Sequence, residues 1–287
     1  MRRLPLLLFA TLVAAPAPAL LGQTPDAAQV IASAREALGG EKKLSAVRTF
    51  TATGRTRQVR GNNLVPIEFE INSELPDKFV RKDEIPAQES DPTTRGFSGD
   101  TLIQVPLPGA GRGGARPGGP PPGAPAGGPP AAAGRGLGGP TPGGRGPSGP
   151  PVPPIVAVKQ DFARLMLGMF AASFPSFPLT FKYVAVGEAP EGKADILEAS
   201  GAGNFSARFV IERDTHLPVM LMWTAPAPGQ PAAVEQRLYF ADYREVDGLK
   251  LPFRIRRAVG ADTVEETAFD RFRINAKIDP KKFEQPK

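Results

Sequence analysis

The chain has 287 residues, no cysteine, a single histidine and a formal net charge of +6. With one histidine and no cysteine, disulfides, the usual zinc ligand sets and the Ser-His-Asp and Cys-His nucleophile systems are not expected. The charge excess sits in Arg2 and Arg3 and in Arg112, Arg116, Arg135 and Arg145 of a Gly/Pro-rich tract. The remainder is formally neutral, so charge count does not indicate a nucleic-acid-binding face.

Residues 1–22 read as a secretory signal peptide. Arg2 and Arg3 precede an apolar run from Leu4 to Ala15, and Ala17-Pro18-Ala19 fits small-x-small cleavage. No other stretch reaches about 18 apolar residues, so no transmembrane span is expected in the mature protein. The expected location is periplasmic. With no cysteine, the lipidated first Cys of a bacterial lipoprotein is not expected.

The rest, 23–287, reads as one domain. A first helix is expected after Thr24 and Pro25, with Val30, Ile31, Ala34 and Leu38 on one face and Gly39-Gly40 at its end. A short helical turn follows, Glu41 to Val47. Strands are expected at about 49–60, 64–72, 78–85 and 101–105. Ile67, Phe69 and Ile71 alternate strictly with Glu68, Glu70 and Asn72, which predicts one wet face.

From 106 to 154 the pattern breaks. Thr101 to Gln160 contains no acidic residue, and Gly and Pro dominate. Such sequence buries too little apolar surface to offset its ordering entropy, so a disordered insertion is expected. Two GxGxxG matches inside it, starting at Gly109 and Gly134, lack a strand–helix context and read as chance. A tolerated surface loop and a wall- or partner-binding segment both fit.

A second helix is expected at about 158–173, with Phe162, Leu165, Met166, Met169 and Phe170 at helical spacing. Strands then run at about 180–186, 194–200, 205–213, 217–224 and 263–274, with a hairpin between 235 and 257. Asp247-Gly248 suits a type I′ turn, and Leu249, Leu251, Phe253 and Ile255 alternate after it. The fold class is mainly β (α+β), an antiparallel sheet that is curved or barrel-like, with helices over one face or opening.

Few residues suit catalysis. His216 lies in the turn sequence Arg213-Asp214-Thr215-His216-Leu217-Pro218 and reads as exposed. Asp242, counted back from the two-residue turn, falls opposite Phe253 on the apolar face. There its pKa would rise; alternatively a bulge rotates it out, or Arg254 or Arg256 pairs with it. Asp83-Glu84 and Glu265-Glu266 each point to opposite faces and cannot act as pairs. Asn204-Phe205-Ser206 matches the N-glycosylation pattern, which arises often by chance. The positive signal is apolar: Met166 and Met169 on the second helix, Met220 and Met222 around Trp223. An adaptable apolar site and an ordinary core both fit that placement.

Taken in order, several segments resemble the LolA/LolB-like family of exported lipoprotein-sorting and lipid-binding proteins. They are Ala37-Leu38-Gly39-Gly40, Val47 to Gly54, Asp214 to Pro218, Asp242 to Pro252 and Ile278 to Glu284. The resemblance implies an incomplete antiparallel β-barrel whose helices close over an apolar cavity for acyl chains. It implies a carrier or binder of lipids or lipoprotein acyl chains. The protein is expected to be non-enzymatic and monomeric, with no cofactor, no metal and no nucleic-acid partner, and with an envelope protein as a further partner. The alternative is a structural or sensory envelope module with a filled core. Candidate cavity and lid residues are Phe162, Leu165, Met166, Met169 and Phe170 on the helix. On strands they are Leu221, Trp223, Phe240, Phe253 and Ile255. The long Gly/Pro insertion departs from the family pattern.

Overall fold

A computed structural model describes residues 26–86, 91–106, 152–189, 192–226 and 232–285. The expected signal peptide and most of the 106–154 insertion lie outside these residues, as do Thr24 and Pro25. The chain begins with α1 (Ala27–Ala37) and α2 (Glu41–Ser45), then β1 (Thr49–Arg60), β2 (Asn63–Glu74), β3 (Lys78–Glu84), β4 (Thr93–Ser98) and β5 (Thr101–Val105). After the insertion come α3 (Pro154–Phe170), β6 (Leu179–Ala189), β7 (Gly192–Gly201), β8 (Phe205–Glu212) and β9 (Pro218–Pro226). The last elements are β10 (Ala233–Val246), β11 (Leu249–Val259), β12 (Asp262–Ile274) and a 3₁₀ turn (Pro280–Phe283).

Among the described residues twelve strands form one sheet in the order β5-β4-β3-β2-β1-β12-β11-β10-β9-β8-β7-β6, every pair antiparallel. The sheet does not close, because β5 and β6 remain its edges. Helix α3 touches β4 and β5 on one side and β9 and β11 on the other. In a flat sheet β4 and β9 would stand about 34 Å apart, seven strand spacings. A helix about 10 Å across reaches both only if the sheet curls around it. The architecture is therefore a half-barrel with α3 in its concave side.

Alternation assigns the faces. Phe50, Ala52, Phe69, Ile71, Leu221, Phe240, Ile255 and Phe272 point inward and join α3 in the main core. Asp247 (φ 52°) and Gly248 (φ 77°) make the expected turn, and Val246 pairs with Leu249 across it. That hairpin is tied to the helical layer: the Lys250 N–H donates to the Leu38 carbonyl at 2.8 Å, and Lys43 Nζ to the Gly248 carbonyl at 3.3 Å.

Three expectations change. Asp26, not Thr24, caps α1, its carboxylate accepting the Ala28 N–H at 3.4 Å. Helix α3 starts a turn earlier, with proline in its first turn where no N–H is needed, and stops at Ala171 in a left-handed conformation (φ 44°). Strand β4 was not expected at all.

Candidate functional site

Helix α3 fills the half-barrel. The Phe162 ring lies 5.3–5.8 Å from those of Phe79, Phe97 and Phe174. Met166, Leu167 and Met169 are fully buried. Gly168 lets the helix touch the sheet, since a Cβ there would stand 2.1 Å from Phe240 Cε1. At the same glycine the Tyr243 hydroxyl lies 2.9 Å from the Gly168 carbonyl and 2.8 Å from that of Pro218. Burial pushes this phenol well above its ordinary pKa, so it remains a donor.

The open space lies at the C-terminal end of α3. A cleft of about 430 Å³ separates α1 and α2 from the α3–β6 connection. Ile31, Leu44 and Val47 form one wall, Phe170, Phe174 and Phe181 the other. The volume falls within the ~300–1,000 Å³ typical of small-ligand sites. Two arginines reach the cleft. Arg35 gives Nη1–H to the Phe170 carbonyl at 2.9 Å and grips the Glu41 carboxylate with Nε (2.5 Å) and Nη2 (2.9 Å). That bidentate pairing holds the Glu41 carboxyl below its usual pKa. Arg48 lines the same cleft, and among the described residues its guanidinium has no ion-pair partner. Its backbone is fixed: the N–H donates to Asn275 Oδ1 at 2.7 Å, and the carbonyl accepts from Leu75 at 2.7 Å.

The ten sequence-derived cavity residues all meet in one place, the core between α3 and the sheet. Phe162, Met166, Met169, Phe170, Leu221, Phe240, Phe253 and Ile255 are buried there, with Leu165 and Trp223 half-buried against them. The Arg164 guanidinium stacks on the Trp223 ring at 4.5 Å. Of the ten, Phe170 alone lines the cleft. The methionines do not converge. Met220 sits on the outer face of the sheet with Ala194 and Val210, and Met222 packs against that same small cluster.

Asp242 takes a left-handed conformation (φ 56°) that turns it off the inner face, although the hairpin register does not shift. Its exposed carboxylate pairs with Arg244 at 2.6 and 3.0 Å, rather than with Arg254 or Arg256. Arg244 holds that carboxyl below its usual pKa, the opposite of a buried general acid. His216 (φ 57°) is an exposed turn residue. The adjacent acids split as expected: Asp83 turns inward to Arg81 at 2.7 Å, and Glu265 points inward towards Gln58 at 3.3 Å. Glu266 is exposed on the outer side. Sequence reasoning missed Arg35, Arg48, Phe174 and Phe181. A cation in the last turn of α1 is ordinary helix chemistry, and nothing local marks it as part of a site.

A crystal structure of a LolA superfamily protein from Nitrosomonas europaea matches at 10% identity, covering 91% of this chain and 98% of that one, with a TM-score of 0.52. A DUF1329 family protein from Desulfovibrio piger (8% identity; 90% and 97% covered) gives 0.45. A Vibrio parahaemolyticus domain named for outer membrane lipoprotein sorting (10% identity; 90% and 97% covered) gives 0.48. The first likeness shows the fold alone: the half-barrel is shared with that LolA superfamily protein. No family model matches the chain, and neither does any curated protein sequence. Among the described residues no helix is long and apolar enough to cross a membrane.

Proposed function

We propose that this protein is an exported, non-catalytic carrier or binder of lipids or lipoprotein acyl chains. The observation that carries this reading is the cleft at the end of α3, apolar on both walls and large enough for part of an acyl chain. Each methylene moved from water into such a site gains about 0.8 kcal/mol, so eight methylenes gain roughly 6 kcal/mol before entropic costs. A longer chain needs more room. It obtains that room by displacing α3 and running along Phe162, Met166 and Met169 beneath it, the helix acting as lid. Methionine side chains repack at low cost, which suits this role.

A second reading has a specific observation in its favour. Gly168 and Phe240 are in contact, and the α3 side chains beneath are fully buried, as in a filled structural or sensory module. Titration with a fluorescent fatty acid separates the two, with native mass spectrometry of protein purified from a bacterial envelope. The carrier reading expects saturable uptake that Phe181→Glu, a charge placed in the cleft wall, abolishes. A homogeneous unliganded mass and no uptake would leave the filled module.

A further inference from the structure

Charge count makes the domain neutral, but the fold sorts the charges. The outer face of the three central strands β1, β12 and β11 carries Arg55, Arg57, Arg254, Arg256, Arg271 and Arg273, all exposed. The register sets them in rows. Arg55 and Arg254 flank Ala268, Arg57 and Arg256 flank Glu266, and Arg271 and Arg273 stand opposite Thr53 and Thr51. Among the described residues Arg55 alone of the six has an ion pair, with Glu68 at 3.8 Å. Solvent faces of sheets normally alternate opposite charges, because like charges across a row repel. Here two exposed acids, Glu266 and the bulge residue Asp270, stand among six arginines, with Asp262 at the start of β12.

A groove opens at one end of this grid. It has a volume of about 350 Å³ and lies between β1, β2, β12 and the C-terminal segment. Arg271, Arg273 and Lys277 line it beside the Thr51 and Thr53 hydroxyls and Asn72. Its two acids are engaged: Glu70 pairs with Lys282 at 3.0 Å, and Asp279 accepts the Lys281 N–H at 3.0 Å. Among the described residues Arg271, Arg273 and Lys277 have no ion-pair partner, so the groove offers three cations and hydroxyl donors, the chemistry of a phosphate-bearing headgroup.

We propose that this convex arginine face docks the protein on the surface of an anionic phospholipid bilayer, with one headgroup seated in the Arg271–Arg273–Lys277 groove. The geometry favours a plane of charge. Arginines on β1 and β11 stand two strands apart, about 10 Å, and successive rows about 7 Å apart, so the cations spread in two dimensions rather than along a line. The groove also lies at the same end of the sheet as the apolar cleft. Arg48 in the cleft precedes Thr51 in the groove by three residues, about 10 Å of strand. Docking would bring the cleft to the membrane surface, which deepens the carrier reading without depending on it.

The test is co-sedimentation of the full protein with phosphatidylcholine vesicles and with vesicles carrying about one third phosphatidylglycerol. Binding is expected only to the anionic vesicles, and its loss between about 50 and 500 mM NaCl. Each basic side chain at such a surface is worth about fivefold in affinity. Arg271→Gln/Arg273→Gln/Lys277→Gln should therefore weaken binding roughly a hundredfold, and Arg254→Gln/Arg256→Gln roughly twenty-fivefold. Lys182→Gln, on the edge strand β6, should stay within about twofold. These side chains are exposed, so thermal melts should match wild type, and the second variant decides if the first fails to fold. Equal binding to neutral vesicles, or unchanged binding by both variants, overturns the proposal. So does release by about 10 mM inorganic phosphate, which would mark a small-anion site, or retention on single-stranded DNA without vesicle binding. Fatty-acid uptake measured on the same variants should be unchanged, so failure of docking and failure of the cleft are told apart.

Discussion

Arg35 Nη1 donates to the Phe170 carbonyl at 2.9 Å, joining α1 to the last turn of α3 directly over the apolar cleft. Phe170 is buried and its carbonyl belongs to a helix end, where intrahelical partners run out. Replacing Arg35 by methionine leaves that carbonyl without its charged donor. The expected cost is about 1–3 kcal/mol, seen as a fall in Tm of roughly 2–4 °C per kcal/mol. If α3 is a lid, the same change should speed fatty-acid uptake in stopped-flow fluorescence. A variant with wild-type melting would remove the tie from the account of the cleft.

The same cluster predicts a pH dependence. Arg35 lowers the Glu41 pKa, so the folded state binds that proton less readily than the unfolded chain does. The stabilisation is then fully present above the unfolded value of about 4.3 and fades as pH falls through the depressed folded value. The Glu41 side chain is 69% exposed, which limits the effect to well under about 1 kcal/mol. The Tm gap between wild type and Glu41→Gln should be constant above about pH 5.5 and close in more acid buffers. A gap that instead widened on acidification would contradict this sign.

Gly168→Ala tests how tightly α3 is seated. Alanine ordinarily favours a helix over glycine by about 1 kcal/mol. Here the added Cβ meets the Phe240 ring at 2.1–2.4 Å. Overpacking costs about 1–3 kcal/mol, so urea denaturation should show a net loss instead of a gain. Phe240→Leu in the same chain should recover part of it, a coupling that a double-mutant cycle reads directly.

How much of this was legible in the sequence depended on the range of the signal. The Asp247-Gly248 turn was readable because two residues suffice to specify it, and both take the positive φ that it needs. Strand β4, Thr93 to Ser98, was invisible because Phe97 is its one large apolar residue and Gly96 interrupts it. That glycine is required by a neighbour, since a Cβ would lie 2.1 Å from the Phe79 carbonyl. Around Trp223 both strand faces are apolar, so alternation alone does not say which of them α3 covers. Pairing of Leu238 with Leu221 turns Met220 and Met222 outward. The cleft was the least readable part. Its walls come from α1, α2, the end of α3 and β6, and their meeting depends on how the helices lean, not on any local pattern.

Asp242 is predicted to be catalytically irrelevant and conformationally specific. It is exposed, ion-paired and held at φ 56°. Asparagine tolerates that region almost as well, so Asp242→Asn should lose little stability and no activity. A β-branched residue pays the full steric penalty there, and Asp242→Val should cost about 1–2 kcal/mol in chemical denaturation. Near-equal stability of the two variants would mean that the left-handed residue relaxes in solution.

Met166 separates the carrier from the filled module. It lies one helical turn before Phe170, buried beneath α3, while Phe170 reaches the cleft. Truncation to alanine should cost about 2–5 kcal/mol through lost contacts and the void left behind. Both readings share that cost. They differ in what fills the void. An apolar cavity stays dry and accepts apolar ligands. If acyl chains enter from the cleft along α3, Met166→Ala gives them room for one or two further methylenes. Fatty-acid affinity should then rise roughly four- to fifteenfold. The same stability loss with no change in uptake would place the void in a sealed core and leave α3 as a structural plug.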